Sequence, residues 1–529
     1  MESVLNQSLT KSSRNSPEGT LDNPPNVPTR NRTPNDMSST DYLVILKSLL
    51  INAAPVFISM TCVFSDRIYT TLLLNKRTKD PNILAAAGLG GAWLALVSMS
   101  IFFSLNAGLT SRASQAYGAK KYRQVGLYMH RAFIINGIIL VPCIILLFYS
   151  ENFFSLLRFD PKVAEITKEY LLISIPGTFA MVIYLTLSSV LNGCGLFKIP
   201  SGVQIIVSIF YLFFAYIFID LWDMRLVGGA ICYCLTWILA TIILIAYIYK
   251  KDPLPGVFFW PVEESYKEIW DLFKYEAIIG SMTWVDFIAM EIMIIFTGQL
   301  PVHQTAAYTV ASNVYRLPAP LGMAVGVTTM SFTGNAIGEK NKVRAQRVLT
   351  LACGLMLLIV IVVEFLFSIY KESWIDAFAS DETTAMYALA TLQVYLCQFP
   401  AEGVQLILAN GVKAIGKEKV GSMIIALADY VVAIPVAYFM CFVMDLGVKG
   451  VAMGSASSIY SKLIMFGYLY TKIDWDEQIQ VVSFALRQKR ALGQPREDDV
   501  ELTLRKNDQN TLEAEELEED IDKERMNYA

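Results

Sequence analysis

Two short segments, QAYGAK at residues 115–120 and NAIGEK at residues 335–340, share one pattern about 220 residues apart. Landmarks that recur at a fixed offset are the signature of an internal repeat. The alternative is that similar loop sequences arose independently between unrelated helices. Two further pairs lie at nearly the same offset, namely LVGGA at 226–230 with VKGVA at 448–452, and Tyr170–Pro176 with Tyr395–Pro400. We therefore interpret the chain as two repeated halves.

The sequence around these landmarks is strongly apolar. Hydrophobic residues make up 54% of the 529 residues and charged residues 17%, whereas a soluble domain carries about 25% charged residues. Stretches such as 133–149 and 354–370 contain almost no charge. A helix needs about 20 such residues to cross a membrane. The composition excludes an ordinary soluble enzyme and favours an integral membrane protein.

Hydropathy over windows of about 19 residues predicts twelve membrane-spanning helices. They lie near residues 43–74, 84–110, 126–149, 168–193, 200–221, 226–249, 271–298, 303–330, 345–370, 385–412, 420–443 and 447–471. Six helices per half give both halves the same orientation, so the repeat is parallel about an axis along the membrane normal. We expect an all-α membrane protein with two six-helix lobes related by pseudo-twofold symmetry.

Basic residues cluster after the second, sixth, eighth and tenth helices. The positive-inside rule therefore places these loops and both tails in the cytoplasm. The exception is the group Lys76, Arg77 and Lys79, which follows the first helix on the expected outer side. The predicted divisions are a disordered N-terminal tail at 1–42, an N-lobe at 43–249, a cytoplasmic linker at 250–270, a C-lobe at 271–471 and an acidic tail at 472–529.

Duplicated six-helix halves are typical of secondary transporters, in which substrate and coupling ion bind near the midplane between the lobes and rigid-body rocking exposes them alternately. No phosphate-binding GxxxxGK[ST] loop occurs, so the chain is not expected to hydrolyse ATP by itself. A channel would show pore-loop or charged-ring features. The cysteines all lie in apolar stretches and the two histidines are far apart, so we expect no metal site, and no basic surface predicts a nucleic-acid partner.

Acidic residues inside predicted helices are functional candidates, because an ionised side chain at mid-bilayer costs about 2.5–3.5 kcal/mol on insertion scales. Asp66 is followed directly by Arg67, and we interpret that pair as structural. Glu364 lies near a helix end, where it can reach the interface. The remaining intramembrane acids are Asp286, Glu291, Glu402 and Asp429.

Asp286 and Glu291 are five residues apart, which is about 500° of helical rotation, so they point in different directions. Glu402 follows Pro400 and precedes Gly403, a place where a helix bends. Carboxylates in apolar surroundings can hold a proton or a cation alternately, which is the chemistry of exchange. Neighbouring side chains that could line such a site are Trp284, Phe287, Tyr308 and Asn192.

The motifs resemble those of the multidrug and toxic compound extrusion (MATE) family of eukaryotic type. The stretch SQAYGAKKY at 114–122 resembles the family signature, and GNAIG at 334–338 resembles its equivalent in the second half. The sequence DPKVA at 160–164 resembles the entry to the fourth helix. The signature residues are Gln115, Gly118, Asn335 and Gly338. The resemblance spans about residues 45–470.

The resemblance also implies roles for individual residues. Asp286 and Glu291 precede GQLP at 298–301, and Glu402 precedes NGVKAIG at 410–416, as do the C-lobe carboxylates that the family uses for cation recognition and proton coupling. The chain departs from the family pattern in three places. These are Ala306, where many members carry an acid, the added positive charge of Arg316, and Glu276–Ala277, where a proline is usual.

We expect a multi-pass antiporter that exports organic cations or xenobiotics in exchange for protons by alternating access, as a monomer, with no cofactor besides the coupling proton. The expected location is the plasma membrane or a vacuolar or vesicular membrane. Alternatives within the same fold are Na⁺ coupling and a lipid or lipid-linked flippase, which would need several cationic side chains for a phosphate headgroup. A non-transporting receptor or a channel is the alternative from another class.

Overall fold

The computed structural model describes residues 39–78, 81–156, 160–376 and 382–488, and these residues form helices joined by loops. The predicted tail at 1–42 lies almost wholly outside this part of the chain. The same holds for Lys79 and for the acidic residues 513–520 of the predicted C-terminal tail.

Among the residues that the structure describes, the N-terminal half contains nine α-helices. Two π-helical segments, Ala95–Met99 and Tyr216–Leu221, continue the helices before them. The α-helices are α1 (Ser39–Arg77), α2 (Pro81–Leu94), α3 (Ser100–Gly118), α4 (Tyr122–Phe148), α5 (Ser150–Leu156), α6 (Pro161–Ile173), α7 (Ile175–Gly193), α8 (Lys198–Ala215) and α9 (Arg225–Lys251).

The C-terminal half repeats this order. A 3₁₀ turn at Glu263–Tyr266 lies in the linker, and π-helical segments at Leu427–Ala433 and Phe439–Val443 interrupt the eleventh span. The α-helices are α10 (Ile269–Thr297), α11 (Val302–Arg316), α12 (Ala319–Gly338), α13 (Lys342–Asp376), α14 (Glu382–Ile415), α15 (Glu418–Ala426), α16 (Ile434–Tyr438), α17 (Val448–Lys472) and α18 (Trp475–Gln488).

The predicted all-α class, with twelve membrane spans in two lobes, is confirmed. Nine stretches of helix in the described part of the chain are long and apolar enough to cross a membrane on their own. The other three predicted spans correspond to α11–α12, α14 and α17. These spans carry more polar residues, and the same helices surround the cavity described below. A helix that packs against protein and lines a cavity does not need a fully apolar surface.

Breaks in the helices occur at related places in the two halves. The predicted single helix at 303–330 is two helices, α11 and α12, separated at Leu317 and Pro318. Proline lacks the backbone N–H and its ring blocks a regular helix, which explains the break. The equivalent point of the first half is the π-helical segment Ala95–Met99. The duplication therefore extends to the irregularities of the helices.

The two halves meet along a seam formed by α3 against α10 and α12, and by α1 against α12. Glycines allow the closest approach. A Cβ atom on Gly118 would lie 2.0 Å from the carbonyl oxygen of Asn335, and one on Gly338 would lie 2.1 Å from that of Gln115. The glycine of each half thus contacts the polar residue of the other half's motif. Gly118 contacts Asn335, and Gly338 contacts Gln115. We call the end of the seam that carries residues 115–120 and 335–340 the signature end.

Hydrogen bonds close the signature end in the same reciprocal way. The Ser111 hydroxyl donates to the carbonyl of Lys413 at 2.8 Å, and the Ser331 hydroxyl donates to the carbonyl of Asn192 at 2.7 Å. The Gln115 amide donates to the carbonyl of Ala414 at 2.9 Å. Serine 331 lies 220 positions after serine 111, so the repeat places one hydroxyl from each half on the other half.

A helix that the sequence reading placed within the C-terminal tail covers the signature end. In α18, the side chains of Trp475, Val482 and Leu486 are buried. Lys121 of the N-terminal half donates to the carbonyl of Leu486 at 2.5 Å, and Lys342 of the C-terminal half pairs with Asp476. The first part of the predicted tail therefore bridges both halves.

The basic residues that opposed the positive-inside assignment have an acidic partner. The Arg77 guanidinium lies 2.6 Å from the Asp220 carboxylate, and the Lys76 ammonium lies 3.4 Å from it. Asp220 belongs to the π-helical end of the fifth span. Because this carboxylate offsets part of their charge, these two residues weigh less in the topology than unpaired cations would.

We predict that Gly118→Ala destabilises the closed seam by about 2 kcal/mol, because the added methyl group would overlap a backbone carbonyl that belongs to another helix. The matched control is Gly137→Ala in α4, where the new Cβ would have no atom within 4 Å apart from its chain neighbours and the backbone of its own helix. Thermal unfolding in detergent and hydrogen exchange over residues 100–118 measure both effects. Equal stability and equal exchange in the two variants would contradict close packing at Gly118.

Candidate functional site

A cavity of about 250 Å³ lies inside the C-terminal half. Its walls come from α10, α11, α12, α13, α14 and α17, and it includes residues near the start of α12 and α17, away from the signature end at which α12 finishes. The polar and aromatic side chains that matter most for its chemistry are Tyr308, Tyr315, Arg316, Tyr395, Glu402 and Ser455. The cavity wall is thus mainly apolar and includes four aromatic rings, one carboxylate and one guanidinium.

Glu402 is held in the cavity wall by hydroxyl and amide groups. The Tyr315 hydroxyl donates to the Glu402 carboxylate, and the Gln398 amide donates to the Tyr315 hydroxyl at 2.9 Å. The ring of Tyr315 stacks on that of Tyr395, with centroids 4.6 Å apart. Stacking restricts the rotation of Tyr315, so the hydroxyl is oriented before any ligand arrives. Pro400 lies within α14 between Gln398 and Glu402.

A second charged cluster, the lysine triad, consists of Lys462, Asp286 and Asp429. The Lys462 ammonium lies 2.5 Å from the Asp286 carboxylate and 2.7 Å from that of Asp429. These residues come from α17, α10 and the π-helical segment Leu427–Ala433. The Ser458 hydroxyl also donates to Asp429. A buried lysine therefore joins three membrane-spanning elements of one lobe.

The cavity and the lysine triad are connected along α17. Ser455 lines the cavity, and Lys462 follows seven residues later on the same helical face, about 10 Å along the axis. The charges of Asp286 and Lys462 act on the Glu402 carboxylate. The Gln398 amide also approaches Ser455, at 3.4 Å. Charged and polar groups thus run from Glu402 to Asp286 within the lobe.

The structure separates the predicted substrate-lining residues. Tyr308 lines the cavity with Glu402. Trp284 is exposed on α10, and Phe287 is partly buried there. Asn192 lies at the signature end, where its carbonyl accepts from Ser331. The side chain of Glu291 lies outside the described part of the structure, although its backbone belongs to α10.

The signature residues occupy the seam and not the cavity. Gln115 and Gly118 pack against Gly338 and Asn335, so their role in this structure is to hold the two lobes together at one end. The other intramembrane acids are dispersed. Asp66 is buried in the N-terminal half and accepts from Ser208 at 2.8 Å, while the side chain of Arg67 is not described.

Lys462 is the main functional candidate that the sequence reading missed. It lies in the middle of the predicted span 447–471, so the rule that flags intramembrane charges applies to it as it does to the acids. Tyr315 and Gln398 were missed as well. Neither carries a signal of its own in the sequence, because tyrosine and glutamine occur in many helices and only the packing of α11 on α14 shows their role.

Glu276 is a further acid in the membrane region that the sequence reading did not single out for its charge. Its side chain is 1% exposed, and neither carboxylate oxygen has a hydrogen-bond partner among the residues that the structure describes. It lies on α10 against Gly108 of α3, at the seam. A buried polar group without a hydrogen-bond partner destabilises the folded state, so we infer that Glu276 lowers the stability of the seam.

Within the described ranges, no three side chains of histidine, cysteine, aspartate or glutamate come together in a way that could hold a metal ion.

Two packed repeats of membrane-spanning helices, with charged groups buried inside a lobe, are typical of secondary transporters. Comparison with known proteins gives the family. The MatE family matches residues 55–217 and 279–439, more than half of the chain. The chain therefore belongs to the MatE family of multidrug and toxin extrusion transporters, and it is a membrane transporter and not an enzyme.

Similar proteins include multidrug and toxin extrusion protein 1 of Oryctolagus cuniculus, which is 24% identical over 447 residues that cover 83% of this chain and 77% of the relative. Protein DETOXIFICATION 12 of Arabidopsis thaliana is 22% identical over 454 residues, 85% of this chain and 93% of the relative. The eukaryotic MATE transporter AtDTX14 has the same fold, with a TM-score of 0.79, 15% identity, and coverage of 83% of this chain and 98% of that one.

We predict that Glu276→Met raises the free energy of unfolding by about 1–3 kcal/mol, because it replaces an unpartnered buried carboxyl group with an apolar side chain of similar length. The control is Glu263→Met in the linker, where the side chain is exposed and paired with Lys267, and where a change within about 0.5 kcal/mol is expected. Thermal unfolding in detergent compares the two. A loss of stability in Glu276→Met would show that Glu276 has a stabilising partner.

Proposed function

We propose that the protein exports organic cations in exchange for protons, that the cavity of the C-terminal lobe is the exchange site, and that Glu402 is the main coupling carboxylate. The supporting observation is the environment of Glu402. It lies in the cavity wall and accepts from Tyr315, and no basic side chain of the described residues lies within ion-pair distance of it. This carboxylate is available to a proton or to a cation that enters from outside.

Exchange follows if the Glu402 carboxylate binds either a proton or an organic cation, but not both at once. A carboxylate that binds an organic cation must be ionised, whereas a protonated carboxyl group has lost that attraction. A proton and a cation therefore compete for Glu402. The Tyr315 hydroxyl can donate to the ionised form. The same group supplies an oxygen that can accept from a protonated carboxyl, so it suits both states.

The aromatic wall gives the cavity a preference for organic cations over inorganic ions. Tyr308, Tyr315, Tyr395 and Phe399 line the space around Glu402. Each ring face can contribute about 0.5–2 kcal/mol to the binding of a cation that it contacts. A volume of about 250 Å³ is below the range of about 300–1,000 Å³ of pockets for drug-sized ligands. We therefore infer that the substrates are small organic cations.

Alternating access requires that the two ends of the transporter open in turn. The cavity lies away from the signature end, which is closed by the reciprocal contacts of Ser111 and Ser331. Opening of these contacts would expose the lobes from the other side. We propose that the signature end faces the cytoplasm, as the basic loops indicate, and that the protein works as a monomer in the plasma membrane or a vacuolar or vesicular membrane.

The alternative of a lipid or lipid-linked flippase depends on the cationic side chains of the lobe. Arg316 lines the cavity. The Lys462 ammonium is bound by two carboxylates, and the Lys413 ammonium lies 3.4 Å from the Thr283 hydroxyl. Recognition of a phosphate group favours several unpaired cations in one place. A single arginine in a cavity wall that also contains a carboxylate supports cation binding better than phosphate binding.

We predict that Glu402→Gln reduces proton-driven efflux of tetraethylammonium to background, because glutamine keeps the shape of the side chain but neither titrates nor attracts a cation. The measurement is efflux from proteoliposomes under an imposed pH gradient without Na⁺. Glu364→Gln in α13 is the matched control, since Glu364 does not line the cavity, and we expect it to transport as the wild type does.

Three results would contradict this assignment in different ways. Unchanged pH dependence in Glu402→Gln would make Glu402 structural and pass the role to Asp286, with Asp286→Asn as the next variant. Efflux that depends on a Na⁺ gradient and ignores the pH gradient would establish Na⁺ coupling. Wild-type proteoliposomes that move a fluorescent phospholipid but no tetraethylammonium would establish the flippase.

We also predict that a cysteine at Lys340, which is exposed after α12, is not labelled by an impermeant maleimide added outside intact cells, and becomes labelled when the membrane is permeabilised. The variant is Lys340→Cys with the exposed Cys397 replaced by serine, and the serine background alone is the control. Strong labelling of intact cells at position 340 would reverse the proposed orientation.

A further inference from the structure

We propose that Lys462 is a built-in cation that occupies the Asp286 carboxylate in the empty transporter and withdraws to Asp429 when an organic cation binds. The inference rests on the proposed function, because it concerns how a cation substrate enters the C-terminal lobe. It makes Lys462 a specificity-determining residue: a substrate must compete with an ammonium group that is already in place.

The first observation is that the lysine triad is accessible on one side only. The Lys462 ammonium bridges Asp286 at 2.5 Å and Asp429 at 2.7 Å. The side chain of Asp286 is 38% exposed, whereas those of Lys462 and Asp429 are 5% and 2% exposed. Within the lysine triad, Asp286 is therefore the carboxylate that the protein leaves partly uncovered, whereas Asp429 is enclosed. If a cation displaces the ammonium, it does so at Asp286.

The second observation is that Asp429 has unused capacity to bind the ammonium. One of its oxygens, Oδ1, accepts from both Lys462 and Ser458. The other oxygen, Oδ2, is buried and has no hydrogen-bond partner within the described part of the chain. An ammonium group has three donors. After losing Asp286, Lys462 can thus bond both oxygens of Asp429 and remain fully paired in the interior.

The third observation is the backbone around Asp429. This residue lies in the π-helical segment Leu427–Ala433, and Asp429 Oδ1 faces α17 through Ser458 and Lys462. π-helical segments within α-helices are frequent at functional sites. The lysine side chain is a flexible four-carbon stem with a compact charge. It can shift between two neighbouring carboxylates without a change in the helices that carry them.

The charges explain what such an arrangement achieves. The lysine triad carries one net negative charge, so it attracts a monovalent cation while the buried Asp429 remains compensated. The ammonium is tethered beside Asp286 and acts at a high effective concentration. An inorganic cation brings no contact with the aromatic rings and competes poorly with it. An organic cation adds ring contacts in the neighbouring cavity and can displace it.

The competing explanation is that the contacts of Lys462 are a purely structural salt bridge. Removal of both Lys462 and Asp429 distinguishes this explanation from a resident competitor. The double variant Lys462→Met with Asp429→Asn removes one positive and one negative charge together, so the net charge of the triad is unchanged and no buried charge is left unpaired. Asp286 then has no resident cation. A structural role predicts equal or weaker ligand binding in this variant, whereas a resident competitor predicts tighter binding.

The experiment is calorimetric titration of the purified full-length protein in nanodiscs with tetraethylammonium at neutral pH. We expect the double variant to bind it roughly tenfold more tightly than the wild type, and we expect added Na⁺ to compete in the variant only. Lys462→Arg keeps a resident charge, so we expect it to bind tetraethylammonium more weakly than the double variant does. Lys413→Met removes the other nearby lysine, which has no carboxylate contact in the described structure, and should leave the affinity unchanged.

Unchanged or weaker binding by the double variant, with wild-type thermal unfolding, overturns the role of Lys462 and leaves the proposed function intact. Absence of tetraethylammonium binding in both proteins overturns the cation site and this inference together. The single variant Asp429→Asn gives an independent test if the double variant does not fold. It removes the place to which Lys462 withdraws, so we expect weaker binding, and tighter binding would overturn the inference.

Discussion

The close contact between the two repeats at the signature end is the constraint on which the rest of the structure depends. Gly118 and Gly338 bring the backbones of the two repeats into contact. Gly118 lies against Asn335, and Gly338 lies against Gln115. Only hydrogen in place of a side chain allows this approach. These reciprocal contacts hold the two lobes together at the signature end. The cavity of the C-terminal lobe lies away from this end.

Charges inside the lobes are accommodated in three different ways. Glu402 is bonded by a tyrosine hydroxyl, Asp286 is bonded by a lysine, and Glu276 has no partner in the described structure. In a medium without bulk water, the partner decides what a carboxylate can do. A hydroxyl leaves the negative charge available to a ligand. An ammonium offsets it until something takes its place.

The sequence predicted the fold well because its signals are local and repeated. Hydropathy located the twelve spans, and the offset between residues 115–120 and 335–340 showed the duplication. Glu402 and Asp286 could be singled out because a charge in an apolar helix is conspicuous. Lys462 is equally conspicuous by the same rule, but its two carboxylate partners come from other helices and only packing shows them. Tyr315 could not be found, since nothing local distinguishes a tyrosine that meets a carboxylate on another helix.

By itself, the sequence determined that the chain spans the membrane in two repeated halves and which acids lie within it, since these depend on composition and spacing along one helix. Only the tertiary structure decided that Asp286 and Asp429 share Lys462 while Glu402 faces a cavity with Tyr315. The physical reason is that the free energy of a buried charge depends on groups brought close by packing, often more than a hundred residues away in the chain, and spacing along one helix does not specify them.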